Sequence, residues 1–140
     1  LERDGVVNAL FMRSPSGNNN EIDIEFLSNE SGAGKVHFVL HPHEGLPPDK
    51  YSAEIYLGFN PALTFNKYAF VWSASYVDFF VNGLRRASMP LSEGFPVPSR
   101  PGQLLLSNWS AGIPDWGGEN PPANSATMKV DWVRFTPQGD

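Results

Sequence analysis

Three acidic residues occupy every second position of Glu21-Ile22-Asp23-Ile24-Glu25-Phe26. On a β-strand successive side chains point to opposite faces. Glu21, Asp23 and Glu25 therefore share one face, and Ile22, Ile24 and Phe26 share the other. Two readings fit the acidic face. One is a solvated face of an antiparallel sheet, although acidic residues are poor strand formers. The other is a site for cleaving glycosidic bonds. Hydrolysis with retention needs two carboxyl groups about 5–5.5 Å apart, a nucleophile and an acid/base. Cα atoms four residues apart on a strand are ~13 Å apart, and long Glu side chains leaning together close much of that gap. Asp23, between them, is placed to hydrogen-bond the nucleophile and to raise a neighbouring acid's pKa by like-charge repulsion.

The elements that must hold this strand are also legible. Residues 5–13 read as a buried strand. Turn formers fill positions 15–20, so the two strands pair as a hairpin. Residues 28–34 read as a loop. Next, Val36, Phe38 and Leu40 alternate with His37, Val39 and His41, which predicts a strand with one apolar face. Two His at that spacing suggest zinc only with further ligands. The chain has three His and no Cys, so zinc is disfavoured and His37 is read as a sugar-contacting or exposed residue. Residues 43–51 read as loop, and 52–57, 65–73, 76–81 and 84–89 as strands. Asn82-Gly83 joins the last two as a strong hairpin signal, because both residues tolerate positive φ. A Pro-rich connection over 90–102 leads to a strand over 103–109. A Gly/Pro/Asn-rich segment carrying Trp109 and Trp116 follows, and residues 127–136 read as the last strand. Pyranose rings stack on aromatic faces, so these two Trp are sugar platforms or loop anchors. The pattern predicts an all-β fold with antiparallel strands in two packed sheets.

Composition narrows the function classes. The chain has 140 residues, 13 Gly, 13 Pro and a net charge of −5. That charge argues against a nucleic-acid partner, and no apolar run is long enough for a membrane span. No disulfide framework exists without Cys. Asn29 and Asn108 open N-glycosylation sequons, a weak pointer to secretion. No local motif suggests a phosphate loop or a Ser–His–Asp site.

The run Glu21-Ile-Asp-Ile-Glu-Phe-Leu27 resembles the signature of glycoside hydrolase family 16, the β-glucanase and transglycosylase family. The later stretches Tyr68-Ala-Phe-Val-Trp72, Asn82-Gly83 and Asp131-Trp-Val-Arg-Phe135 are similar to the lichenase pattern. With no extra residue before Glu25, the motif resembles the regular-strand form of lichenases and xyloglucan transglycosylases. The resemblance implies a concanavalin A-like jelly roll, with Glu21 as nucleophile, Asp23 assisting it and Glu25 as acid/base. It also puts Phe11 and Arg13 on the cleft side, although core packing is the simpler reading of Phe11. Trp109 and Trp116 match sugar-binding positions. Asp131 matches a ligand of a structural calcium, which the chemistry does not require.

Val39, Asn66 and Ser107 depart from the lichenase pattern. Sandwiches of this class run to ~200–250 residues, so residues 1–140 read as one domain, the C-terminal part of a longer one that lacks its first strands. The expected activity is that of a secreted, retaining endo-β-glucanase acting on β-1,3-1,4- or β-1,3-glucan. It is expected to be a monomer unless the missing part is a second chain. The alternatives are a transglycosylase and a lectin-like protein on the same fold.

Overall fold

The acidic strand is the middle of a five-stranded antiparallel sheet. The computed structural model describes residues 5–15, 20–41, 51–91, 96–110, 112–118 and 126–137. Its strands are β1 (Val7–Arg13), β2 (Glu21–Leu27), β3 (Lys35–His41), β4 (Tyr51–Tyr56), β5 (Tyr68–Trp72), β6 (Tyr76–Val81), β7 (Leu84–Pro90) and β8 (Gln103–Trp109). The larger sheet has the order β4-β3-β2-β1-β8, and the smaller β5-β6-β7. Every pairing is antiparallel. The two antiparallel sheets are what the alternation predicts, and their jelly-roll class is what the family resemblance implies.

Period two explains how the sheets meet. Met12, Ile22, Ile24, Phe38 and Leu40 point from the larger sheet toward Val77, Phe79 and Val81 of the smaller one. Phe38 stacks on Phe79 with ring centres 4.5 Å apart. Phe26 meets Tyr68 edge-on at 4.8 Å. Asn82 and Gly83 both take positive φ, 51° and 82°, as the β6–β7 turn requires. Between β2 and β3 the chain forms a 3₁₀ helix, Ser28–Ala33, where a loop was expected.

Two expectations need correction or trimming. The strand predicted over 65–73 narrows to Tyr68–Trp72, and Phe65 is exposed. Residues 127–136 are not a strand, although their alternation is that of one. A strand needs a partner edge for its backbone groups, and among the described residues this segment pairs with none. Its apolar residues Val130, Trp132 and Phe135 stay exposed, with Trp132 under the Lys67 ammonium at 5.7 Å. Leu104 and Leu106 of β8 likewise share the core-facing side with Met12 and Leu10, yet remain exposed. Of the turn formers over 15–20, residues 16–19 lie outside the described residues, as does the loop expected over 43–51 up to residue 50, while Tyr51 opens β4. Among the described residues, no helix is long and apolar enough to cross a membrane.

Candidate active site

The outer face of the larger sheet gathers the chemistry. An unbroken register pairs Arg13 with Glu21, Phe11 with Asp23 and Ala9 with Glu25. On the far side of β1, Gln103, Leu105 and Ser107 oppose Arg13, Phe11 and Ala9. On the other flank, His41, Val39 and His37 oppose Glu21, Asp23 and Glu25. Each row across the sheet therefore carries one acid at its centre. Phe11 belongs to this face and not to the core: half-buried, it sits between Asp23 and Leu105.

The three acids differ in environment. Asp23 is buried, at 4% exposure, while Glu21 and Glu25 are half-buried. Burial pushes the Asp23 carboxyl up to about 9, and the negative charges of Glu21 and Glu25 and a hydrogen bond with Glu21 add to the effect. Arg13 acts in the opposite direction. Burial and the two flanking acids thus favour the protonated form of Asp23, whose O–H can donate to Glu21. Arg13 Nε also reaches Glu21 Oε2 at 3.4 Å, and His41 Nε2 lies 3.4 Å from Asp23 Oδ2. An open depression of about 190 Å³, lined by Arg13, Ser14, Pro15, Gln103 and Leu105, adjoins the Glu21 end.

Loop contacts define the two ends of this face. At the Glu21 end, buried Asn20 accepts from the backbone N–H groups of Ser99 (2.8 Å) and Arg100 (3.3 Å), which ties the 96–102 connection to the start of β2. At the Glu25 end, Ile113 and Trp116 close a tight turn. The Gly117 carbonyl accepts from Gly5 N–H and from Ser28 Oγ. A Cβ on Gly117 would strike Val7 Cγ2 at 2.9 Å, and its φ is +88°, so glycine suits this close approach. The turn brings the Trp116 ring edge-on to His37 at 5.2 Å.

The predicted site residues fall into two groups. Phe11, Arg13, Glu21, Asp23, Glu25 and His37 come together on one face. Trp109, at 45% exposure, lies at its edge opposite Val7. His37 is not exposed: only 4% of it is accessible, and its Nε2 meets Glu30 Oε2 at 2.5 Å. Glu30 is the residue that sequence reasoning missed, since nothing in a Ser/Asn/Gly-rich stretch marks one Glu as reaching back over β3. Asn108 has both ends of its carboxamide engaged, by Asn8 and by the Ala126 carbonyl. Asp131 stands exposed outside the site. Among the described residues no group of three or more His, Cys, Asp or Glu side chains is arranged to hold a metal ion. A lone carboxylate falls far short of the roughly 6–8 oxygens calcium takes, so Asp131 by itself cannot hold that ion.

A two-sheet jelly roll with alternating carboxylates on its open face is the architecture of a carbohydrate-processing class. The profile of Glycosyl hydrolases family 16 matches residues 2–134, and the chain belongs to that family. It is 30% identical over 117 residues to the Beta-glucanase of Paenibacillus macerans, covering 83% of this chain and 46% of that protein. It is 31% identical over 134 residues to Xyloglucan endotransglucosylase/hydrolase protein 15 of Arabidopsis thaliana, covering 93% and 43%. The solved Bacillus licheniformis beta-glucanase superposes with a TM-score of 0.71 at 27% identity, covering 85% of this chain and 54% of that one. The chain spans about half the length of the relatives it matches.

Proposed function

We propose that this chain carries the catalytic strand of a retaining endo-β-glucanase. The observation that carries this reading is buried Asp23 between two half-buried carboxyl groups on one open face, where burial and both neighbours raise its pKa. A proton on Asp23 removes the repulsion that three adjacent carboxylates would suffer. It also gives Glu21 a hydrogen-bond donor that holds its attacking oxygen in place. In the first step Glu21 attacks the anomeric carbon while Glu25 gives its proton to the leaving glycosidic oxygen. In the second, Glu25 takes a proton from water, and the resulting hydroxide displaces Glu21 from the sugar. Phe11 and Trp109, both on the β1–β8 flank of the acids, offer apolar surface for pyranose rings.

The substrate class is a β-glucan, by the names of the bacterial relatives, and the motif's resemblance to lichenases favours a β-1,3-1,4- or β-1,3-linkage. A polymer of that size is met outside the cell, which fits secretion. The unbroken β1–β2 register and the plant relative support a second outcome, transfer of the same glycosyl-enzyme to a sugar acceptor.

The test incubates the full-length gene product with barley glucan, laminarin and xyloglucan and counts new reducing ends. Glu21→Gln keeps the shape and removes the nucleophile, so release should fall by on the order of 10³-fold. Binding of glucan with no release by the wild type would overturn the enzyme reading and favour a lectin-like role. Full activity in Glu21→Gln would overturn the assignment of the nucleophile.

A further inference from the structure

Glu25 must give up a proton and take one back in each turnover, so its surroundings matter as much as its position. His37 is its in-register neighbour on the same face, which puts the two Cβ atoms ~4.5–5.5 Å apart. The imidazole has little freedom. Its side chain is 5% exposed, Nε2 is bound to Glu30, and the Trp116 ring edge closes another side. Glu30 is itself fixed by Lys35, whose Nζ lies 2.7 Å from Oε1. Lys35 also reaches Glu54 at 3.0 Å, and Glu54 is the residue opposite His37 on β4. The charged groups around His37 are therefore Glu25 from β2, Glu54 from β4, Glu30 from the 3₁₀ helix and Lys35 on its own strand. Partial burial of Glu30 favours its neutral form, but hydrogen bonds from Lys35 and His37 outweigh this and hold its pKa below the usual value. Glu30 is thus an anion, and His37 Nε2–H donates to it.

We propose that Glu30 and His37 act as a positioning pair for Glu25. Glu30 keeps the His37 proton on Nε2 and pins the ring, and the pinned ring limits the orientations open to the Glu25 carboxyl beside it. The proton that reaches the leaving oxygen comes from Glu25 and is recovered from water, while His37 keeps its own throughout. Burial separates this role from sugar contact, because little of the His37 surface is open to a ligand. The inference rests on the hydrolase reading above.

The test compares two leaving groups in the full-length gene product. A β-glucan needs its leaving oxygen protonated, whereas a dinitrophenyl β-glucan oligosaccharide does not. His37→Ala and Glu30→Gln should slow glucan cleavage by about 10–100-fold, a fraction of what general acid catalysis contributes. The first-turnover burst of dinitrophenolate should change by less than about 3-fold. His37→Gln retains an N–H toward Glu30 and should recover most of the glucan activity. Parallel losses on both substrates, or no loss on either, overturn the positioning role while leaving the hydrolase reading intact. If His37→Ala does not fold, the half-buried Glu30→Gln decides the question by the same ratio. A wild type that yields neither reducing ends nor a burst overturns the hydrolase reading, and this inference with it.

Discussion

Replacing Asp23 with Asn should make the protein more stable at neutral pH while damaging its chemistry. The Asp23 carboxyl is pushed from 3.8 to about 9 by burial and by the charges of Glu21 and Glu25. Between those limits the folded state holds a proton that the unfolded state has lost. Stability contributed by this group is therefore complete below the unfolded pKa and drains away as pH rises toward the folded one. The slope is about 1.4 kcal/mol per pH unit for one proton. The interval from pH 5 to 7 lies well inside the window, so the wild type should lose about 2.7 kcal/mol across it through Asp23 alone. Asn carries no charge in either state, keeps a donor for Glu21, and presents to His41 the same neutral group as protonated Asp23. Glu30, shifted down, and Lys35, shifted up by its bonds to Glu30 and Glu54, both titrate outside this interval. Urea unfolding of wild type and Asp23→Asn at pH 5, 6 and 7 gives the comparison. The gap between the two proteins should widen by about 2.7 kcal/mol in favour of the variant. Parallel curves would mean that Asp23 is ionised in the folded protein, and the account of the three acids would fail.

Two further outcomes test the packing. Ile24 is fully buried between the sheets, so Ile24→Ala should cost roughly 2–5 kcal/mol in urea unfolding. Leu106→Ala, at a position 44% exposed, should cost under about 1 kcal/mol. Equal costs would show that β8 is covered in solution. Gly34 has φ +69°, and a Cβ there would run into the Phe59 carbonyl oxygen. Gly34→Ala should therefore lower stability by about 2 kcal/mol or more. It should also loosen Lys35 at the start of β3, and unchanged thermal unfolding would refute the close approach.

Much of this molecule follows from local pattern. Strict alternation assigns Glu21, Asp23 and Glu25 to one face of β2 and Ile22 and Ile24 to the other, because strand geometry leaves no third choice. Asn82-Gly83 specifies its hairpin for an equally local reason, the positive φ that both residues accept. Composition and alternation together predict a two-sheet β fold. The same alternation failed over residues 127–136, where Val130 and Trp132 have a strand's spacing but, among the described residues, no partner edge. Pairing is a non-local property, and a periodic segment cannot supply its own neighbour. Phe11 was ambiguous in sequence for a related reason, since an aromatic serves either face and only the pairing with Asp23 decides which. Which acid takes the proton was also decided in three dimensions. The spacing shows three carboxyls at equal intervals, but burial singles out Asp23, and burial depends on everything packed around the strand. Glu30 over His37, and Trp116 against the same ring, come from segments far from β2 in pattern and meet it only through the 3₁₀ helix and the Gly117 contacts. Sequence alone determined which residues share a face. The tertiary structure decided their protonation and their partners, because those depend on distance and desolvation and not on order along the chain.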